Sequence, residues 1–186
     1  MGRVTRKPPA GPDSGSEPSQ ARPGPEPNQP TVRLLATLKE SGQPVFEEVP
    51  VEVLGGSRYR LLASPGILEN LARGDVFVVD PETGTYRVEE HGGNLCVQVW
   101  YPGLDLAGAV DSDLMPWIGA LGGTLDGREQ ELSSFTIPAR AGLDPILQVF
   151  NGWTAWAKGS TWSFGNAYEE DGETLQPWLQ EALATG

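Results

Sequence analysis

Residues 95–165 read LCVQVWYPGL DLAGAVDSDL MPWIGALGGT LDGREQELSS FTIPARAGLD PILQVFNGWT AWAKGSTWSF G, and their rhythm sets the fold. Leu95, Val97 and Val99 alternate with Cys96 and Gln98 at strand period. Asp111 or Asp113 is placed to cap a helix whose buried stripe is Leu114, Trp117, Ile118 and Leu121, with Pro116 in its first turn. Gly122-Gly123 stops that helix. Two strands at 124–125 and 131–137 predict a hairpin turning at Asp126-Gly127. Asp144-Pro145 pairs a cap with a proline at the first helical position. A second stripe follows, Ile146, Val149, Phe150, Trp153 and Trp156, which Gly159 ends before a last strand at 161–165. The order β-α-β-β-α-β is the split βαβ of an α+β, ferredoxin-like unit.

Upstream the rhythm shortens. Residues 31–38 and 46–54 read as strands, the second with Val49, Val51 and Val53 on one face and Glu48, Pro50 and Glu52 on the other. Pro50 offers no ladder N–H, which predicts an edge position or a bulge. Gly55-Gly56 turns the chain into a strand at 58–63, and Ser64-Pro65-Gly66 breaks it. Residues 67–73 predict a turn or two of helix before Gly74-Asp75 leads into the apolar run 76–79. Asp80-Pro81-Glu82-Thr83-Gly84 is a turn that returns the chain as a strand at 85–90. Five short strands in so few residues predict a small, strongly bent sheet or partial β-barrel. The expected organisation is a Pro-rich, disordered tail over 1–30, this β unit over 31–91, and the ferredoxin-like unit with a C-terminal extension over 92–186.

Charge narrows function. The chain carries 25 Asp and Glu against 13 Lys and Arg, a formal charge of −12. The excess lies beyond the tail: residues 31–186 hold nine basic and 22 acidic side chains. Such a surface repels nucleic-acid backbones and anionic membranes, so neither is an expected partner, whereas a basic protein is. The N-terminus lacks the apolar stretch of a signal peptide and a lone Cys96 suits a reducing compartment, so the expected location is cytoplasmic. His91 and Cys96 are the one histidine and the one cysteine. The first reads as an exposed loop residue and the second as a small buried hydrophobe, leaving no set for nucleophilic catalysis or zinc and no cofactor motif. Glu169-Glu170-Asp171-Gly172-Glu173 is a dense acidic loop without the spacing of a calcium-binding EF-hand loop. Of the six tryptophans, most are expected in the layer between helices and sheet, with Trp178 packing the C-terminus back onto the fold.

The run Val51-Glu52-Val53-Leu54 with Arg58-Tyr59-Arg60-Leu61-Leu62-Ala63-Ser64-Pro65-Gly66, then Gly74-Asp75-Val76 and Gly92-Gly93-Asn94-Leu95, resembles the bacterial family catalogued as domain of unknown function 4265. The resemblance covers most of residues 31–170 and implies a bacterial, cytoplasmic, two-part fold with no assigned reaction. Those motif residues suit folding duties. Read functionally, Arg58, Tyr59, Arg60 and Asp75 line a groove between the two units. The expectation is a non-enzymatic acidic binding module that recognises or inhibits a protein partner, as an immunity-type protein would, with Glu169, Glu170, Asp171 and Trp178 as further partner candidates. The alternative is a small-molecule-binding regulator with its ligand between the units.

Overall fold

The structure, a computed structural model, describes residues 29–103 and 105–184, so the tail expected at the N-terminus lies almost wholly outside the described residues. Five strands, β1 (Thr31–Leu38), β2 (Pro44–Gly55), β3 (Arg58–Leu61), β4 (Val76–Val79) and β5 (Tyr86–Glu90), lie side by side in chain order. Every neighbouring pair is antiparallel. The strand count and positions agree with the sequence pattern, and so does Pro50, which ends the half of β2 that has a partner strand on one side only. β2 pairs its first half with β1, ending at Thr31↔Pro50, and its second half with β3, beginning at Val51↔Leu61. Proline therefore sits where the strand changes partners, and the missing donor leaves no gap in either ladder. The sheet curls until the Leu35 N–H donates to the Gly84 carbonyl at 2.8 Å, in the turn between β4 and β5. Among the described residues β1 and β5 do not pair, so no barrel closes.

The concave face holds Leu34, Val49, Val51, Leu61, Phe77 and Val79. Val53, expected beside Val49 and Val51, is instead 54% exposed, on the stretch of β2 that β1 no longer flanks. Leu68 and Leu71 fill it from an irregular loop, residues 62–75. That loop replaces the short helix expected at 67–73. Its N–H groups bond to side chains elsewhere in the molecule, so the pull of a helical ladder is lost.

The second sheet contains β6 (Asn94–Trp100), β7 (Thr124–Glu129), β8 (Leu132–Pro138) and β9 (Thr161–Phe164) in the antiparallel order β7-β8-β6-β9. Leu95, Val97, Val99, Phe135 and Ile137 form one buried face, covered by helices that supply Val110, Leu114, Ile118, Ile146, Phe150 and Trp153. The first helical segment begins earlier than expected: α1 (Asp105–Ala109) runs into a π-turn (Val110–Leu114) and then α2 (Met115–Ala120). Asp111 and Asp113 thus lie inside it and cap nothing. The wide turn inserts one residue and breaks the 3.6 period, which hides the upstream half from pattern reading. α3 (Leu143–Trp156) starts from Gly142 at φ +79°, so Asp144 lies in the first turn rather than at the cap, where its charge still favours the helix dipole. After β9 the chain makes α4 (Pro177–Ala184), absent from the sequence reading, which buries Leu179 in the same core.

The Asp126-Gly127 hairpin turn is also overturned. The turn falls at Gln130-Glu131, with Gln130 at φ +46°. Asp126 is a β-bulge inside β7, where the register to β8 slips between Leu125 and Gly127. The two sheets are pinned where their chains cross at glycines. A Cβ on Gly92 would lie 2.5 Å from the Gly74 carbonyl carbon, whereas one on Gly152, exposed on α3, would meet nothing within 4 Å. Gly92→Ala is therefore expected to cost about 3 kcal/mol through forced backbone movement, and Gly152→Ala to add about 0.5–1 kcal/mol. Urea unfolding of the two variants checks both signs.

Candidate functional site

The face of the second sheet that points away from its helices carries Cys96, Gln98, Ser134 and Thr136, polar residues that are nevertheless buried. The 62–75 loop covers them. The Cys96 thiol meets the Pro65 carbonyl at 3.4 Å, Gln98 donates to the Leu68 carbonyl at 3.3 Å, and the Ser134 hydroxyl donates to the Ser64 carbonyl at 3.0 Å. Three carboxylates take the loop's own donors. Glu47 on β2 accepts from the N–H groups of Gly66 (2.6 Å), Ile67 (2.9 Å) and Leu68 (3.2 Å). Asp75 accepts from Ala72 (2.9 Å) and from Gly92 (2.7 Å). Asp126, re-aimed by its bulge, accepts from Ser64 at 2.7 Å and from the Thr124 hydroxyl at 3.0 Å.

Asp126 also accepts a short bond from the Thr136 hydroxyl. That bond fixes the direction of a chain. Thr136 has one proton, so its 2.6 Å partner Ser64 must donate to it, and Ser64 in turn accepts the Arg73 N–H at 3.1 Å. The Arg73 guanidinium stands 3.6 Å from Asp126, whose side chain is 4% exposed.

Above this floor the sheets part into a cleft of about 740 Å³. One wall is residues 46–50 of β2 and the other residues 125–129 of β7, with the loop residues 62–67 between them and Gln29 at the rim. Four carboxylates border it (Glu47, Glu48, Asp126 and Glu129), and two guanidiniums. Both cations are engaged: Arg73 with Asp126, and Arg128 with Asp111 through bonds of 2.6 and 3.0 Å. The Arg128 bonds hold the Asp111 carboxyl below its ordinary range and push the guanidinium up. Glu48 and Glu129 are exposed and, among the described residues, have no cation within bonding distance.

None of the partner or ligand residues expected from sequence borders this cleft, although the 62–66 motif does. Arg58 pairs with Glu89 (3.0 Å) and Glu90 (2.5 Å) of β5, and Arg60 with Glu52 (2.6 Å), on the exposed side of the first sheet. Tyr59 points the other way, its ring 5.9 Å from that of Phe77. Asp75 is buried and serves as the pin described above. His91 is exposed in the connector, as expected, and it is held there: its ring stacks on Trp178 at 4.8 Å and its Nδ1 lies 3.7 Å from Asp75. Trp178 therefore does hold the C-terminal helix to the connector, beside a separate cavity of about 400 Å³. Glu169 and Glu170 border a third cavity, of about 590 Å³, under Trp100 and Trp162. Asp171 closes its own turn, accepting from the Thr174 hydroxyl (2.5 Å) and the N–H groups of Thr174 (2.8 Å) and Glu173 (2.9 Å), which hold its carboxyl below the usual range. Among the described residues no three His, Cys, Asp or Glu side chains gather as a metal would need, and no helix is long and apolar enough to cross a membrane.

Glu47 and Asp126 escaped sequence reading. For Asp126 a signal existed: a turn at Asp126-Gly127 leaves a first arm of two residues, too short for a strand, while a turn at Gln130-Glu131 gives two full arms. For Glu47 there was none, since its partners lie about twenty residues away along an irregular loop.

Residues 47–160 match the family model described as "Domain of unknown function (DUF4265)". The chain belongs to that family. The match runs from Glu47, which holds the loop, through the bulge at Asp126 and past the end of α3, so the cleft lining apart from Gln29 and Phe46 lies within the family region. No curated protein matches the chain. Among solved structures it is similar to a hypothetical protein from Neisseria gonorrhoeae, with a TM-score of 0.56 and 12% identity over 74% of this chain and 94% of that one. At that identity the likeness concerns the fold alone.

Two outcomes follow from the seam. Asp126→Ala strands the Ser64 N–H and the Thr136 hydroxyl, and is expected to cost about 2–4 kcal/mol in urea unfolding, with Asp126→Asn costing less than half as much. Cys96, whose thiol is pushed up by burial and by the nearby Asp126 charge, is expected to react with a disulfide reagent only as the protein unfolds; rapid labelling of the native protein would contradict the covered seam.

Proposed function

We propose that this protein is a non-enzymatic binding module that receives a basic segment of a partner protein in the cleft between its sheets. The observation that carries the reading is the surplus of carboxylate there. Glu48 and Glu129 border the cleft from opposite walls with no cation of their own among the described residues, Glu48 accepting there only the Thr31 hydroxyl, while Arg73 and Arg128 are already neutralised by Asp126 and Asp111. A partner's lysine or arginine entering between them gains two charge partners without displacing an existing pair. The formal charge of −12 over the whole chain adds long-range attraction and a fast, salt-sensitive encounter. Inhibition of a basic enzyme, as by an immunity-type protein, is the form of binding this surface suits best. The order β7-β8-β6-β9 supports a ferredoxin-like reading of the second sheet and its helices, and the buried, unpaired Cys96 is compatible with the cytoplasm.

A small-molecule regulator using the same cleft is the second reading, favoured by the directed hydroxyl chain on its floor. Affinity capture of the tagged protein at low salt and at about 1 M salt, where screening shortens the Debye length to about 3 Å, separates the two. The expected result is a basic protein that elutes with salt and is lost in the Glu48→Lys/Glu129→Lys variant. A partner that the variant binds equally well overturns the cleft assignment, and an enriched metabolite with no protein moves the reading to the second.

A further inference from the structure

Both walls of the cleft are strand edges. β7 is the terminal strand of its sheet and pairs with β8 alone among the described residues. Residues 44–50 of β2 pair with β1 on one side, and β3 takes over on the other side only from Val51. Five consecutive residues of each strand border the cavity, so residues of both parities, and hence the backbone edges, face it. Open edges lined by carboxylate take an added extended peptide of opposite charge.

The chain itself carries one. Its described part begins at Gln29 on the cleft rim, where the Pro30 carbonyl accepts the Val51 N–H at 2.8 Å. The preceding sequence opens Met1-Gly2-Arg3-Val4-Thr5-Arg6-Lys7, three cations with no acid, before Pro8-Pro9. Prolines recur from Pro8 onward, so the one basic stretch able to supply a run of ladder donors is this first one. Residues 8–28 form a tether that spans at most about 70 Å fully extended, ample to return Lys7 to the cleft. Tethering of this kind raises the local concentration of a segment to the order of millimolar.

We propose that the Arg3-Val4-Thr5-Arg6-Lys7 stretch of this chain seats in the cleft as an added strand on the β7 edge, with its cations against Glu48 and Glu129, so that the protein occupies its own site until a stronger basic segment displaces it. The proposal rests on the cleft being the binding site argued above. It makes the N-terminal segment a built-in competitor that sets a threshold of affinity for any partner.

The test is a spin label on Val4→Cys in the full-length, ¹⁵N-labelled protein, with Cys96 shielded beneath Pro65. Selective broadening of the amides of residues 125–129 and 46–49 is expected, and its loss in the Glu48→Lys/Glu129→Lys variant and at about 1 M salt. Uniform or absent broadening overturns the proposal. So does broadening that arises only when spin-labelled and ¹⁵N-labelled copies are mixed, which would make the occupant a second copy. Arg3→Glu/Arg6→Glu/Lys7→Glu is expected to raise the yield of the salt-eluted partner. If that partner is captured with no broadening in the free protein, the cleft remains the binding site and self-occupancy alone falls; broadening with no basic partner leaves self-occupancy standing and removes the partner reading.

Discussion

An irregular loop seated on a polar sheet face organises this molecule. The 62–75 loop has little backbone ladder of its own, yet it covers the central strands of the second sheet and sends Leu68 and Leu71 into the core of the first. Buried backbone donors without partners would cost more than such a loop could recover from packing. Three carboxylates remove that cost by accepting the loop's N–H groups from three directions: Glu47 from the first sheet, Asp126 from the second, and Asp75 from the loop's own end. Because each of these acceptors is charged, each bond is of the stronger, charge-assisted kind. The acidity of the protein is thus partly structural. A share of its carboxylates holds the fold, and those left over at the cleft are the ones the proposed partner would meet.

This division explains which features were legible in the sequence. Strand alternation at 95–99, the apolar run at 76–79, and the stripe Ile146, Phe150 and Trp153 announce themselves because each is a local pattern of apolar residues that burial follows. The errors arose where a second constraint overrode the local one. Residues 67–73 have an acceptable helical pattern, but their donors are drawn to Glu47, Asp75 and a distant carbonyl at Gly165. Asp126-Gly127 has the composition of a turn, but in β7 it serves as a bulge that aims a carboxylate. The helix through Val110 carries an extra residue, so its two halves fall out of phase.

Several of the motif residues that carry the family resemblance lie at the seam between the sheets. Gly74 and Gly92 allow two backbones to touch, Asp75 ties one to the other, and Asn94 donates to the Arg73 carbonyl at 2.8 Å. Ser64-Pro65-Gly66 lies flat on the second sheet. The candidate site was therefore only half visible: its floor was in the motif, while its charged walls, Glu48 and Glu129, came from ordinary-looking strands that only the tertiary fold brings together.

The seam also dictates an order of events during synthesis. Ser64 and the carboxylate that holds it are separated by 62 residues, and its hydroxyl partner Thr136 by 72. When the first five strands have left the ribosome, the acceptors that β7 and β8 will supply are still unmade. The early sheet then lacks the cover of the second sheet and presents Leu68 and Leu71 on a segment held by Glu47 and Asp75 alone. Its completion waits on the last third of the chain, so the two sheets reach the native state together, and a nascent chain stalled between β6 and β7 is the species for which chaperone protection matters most.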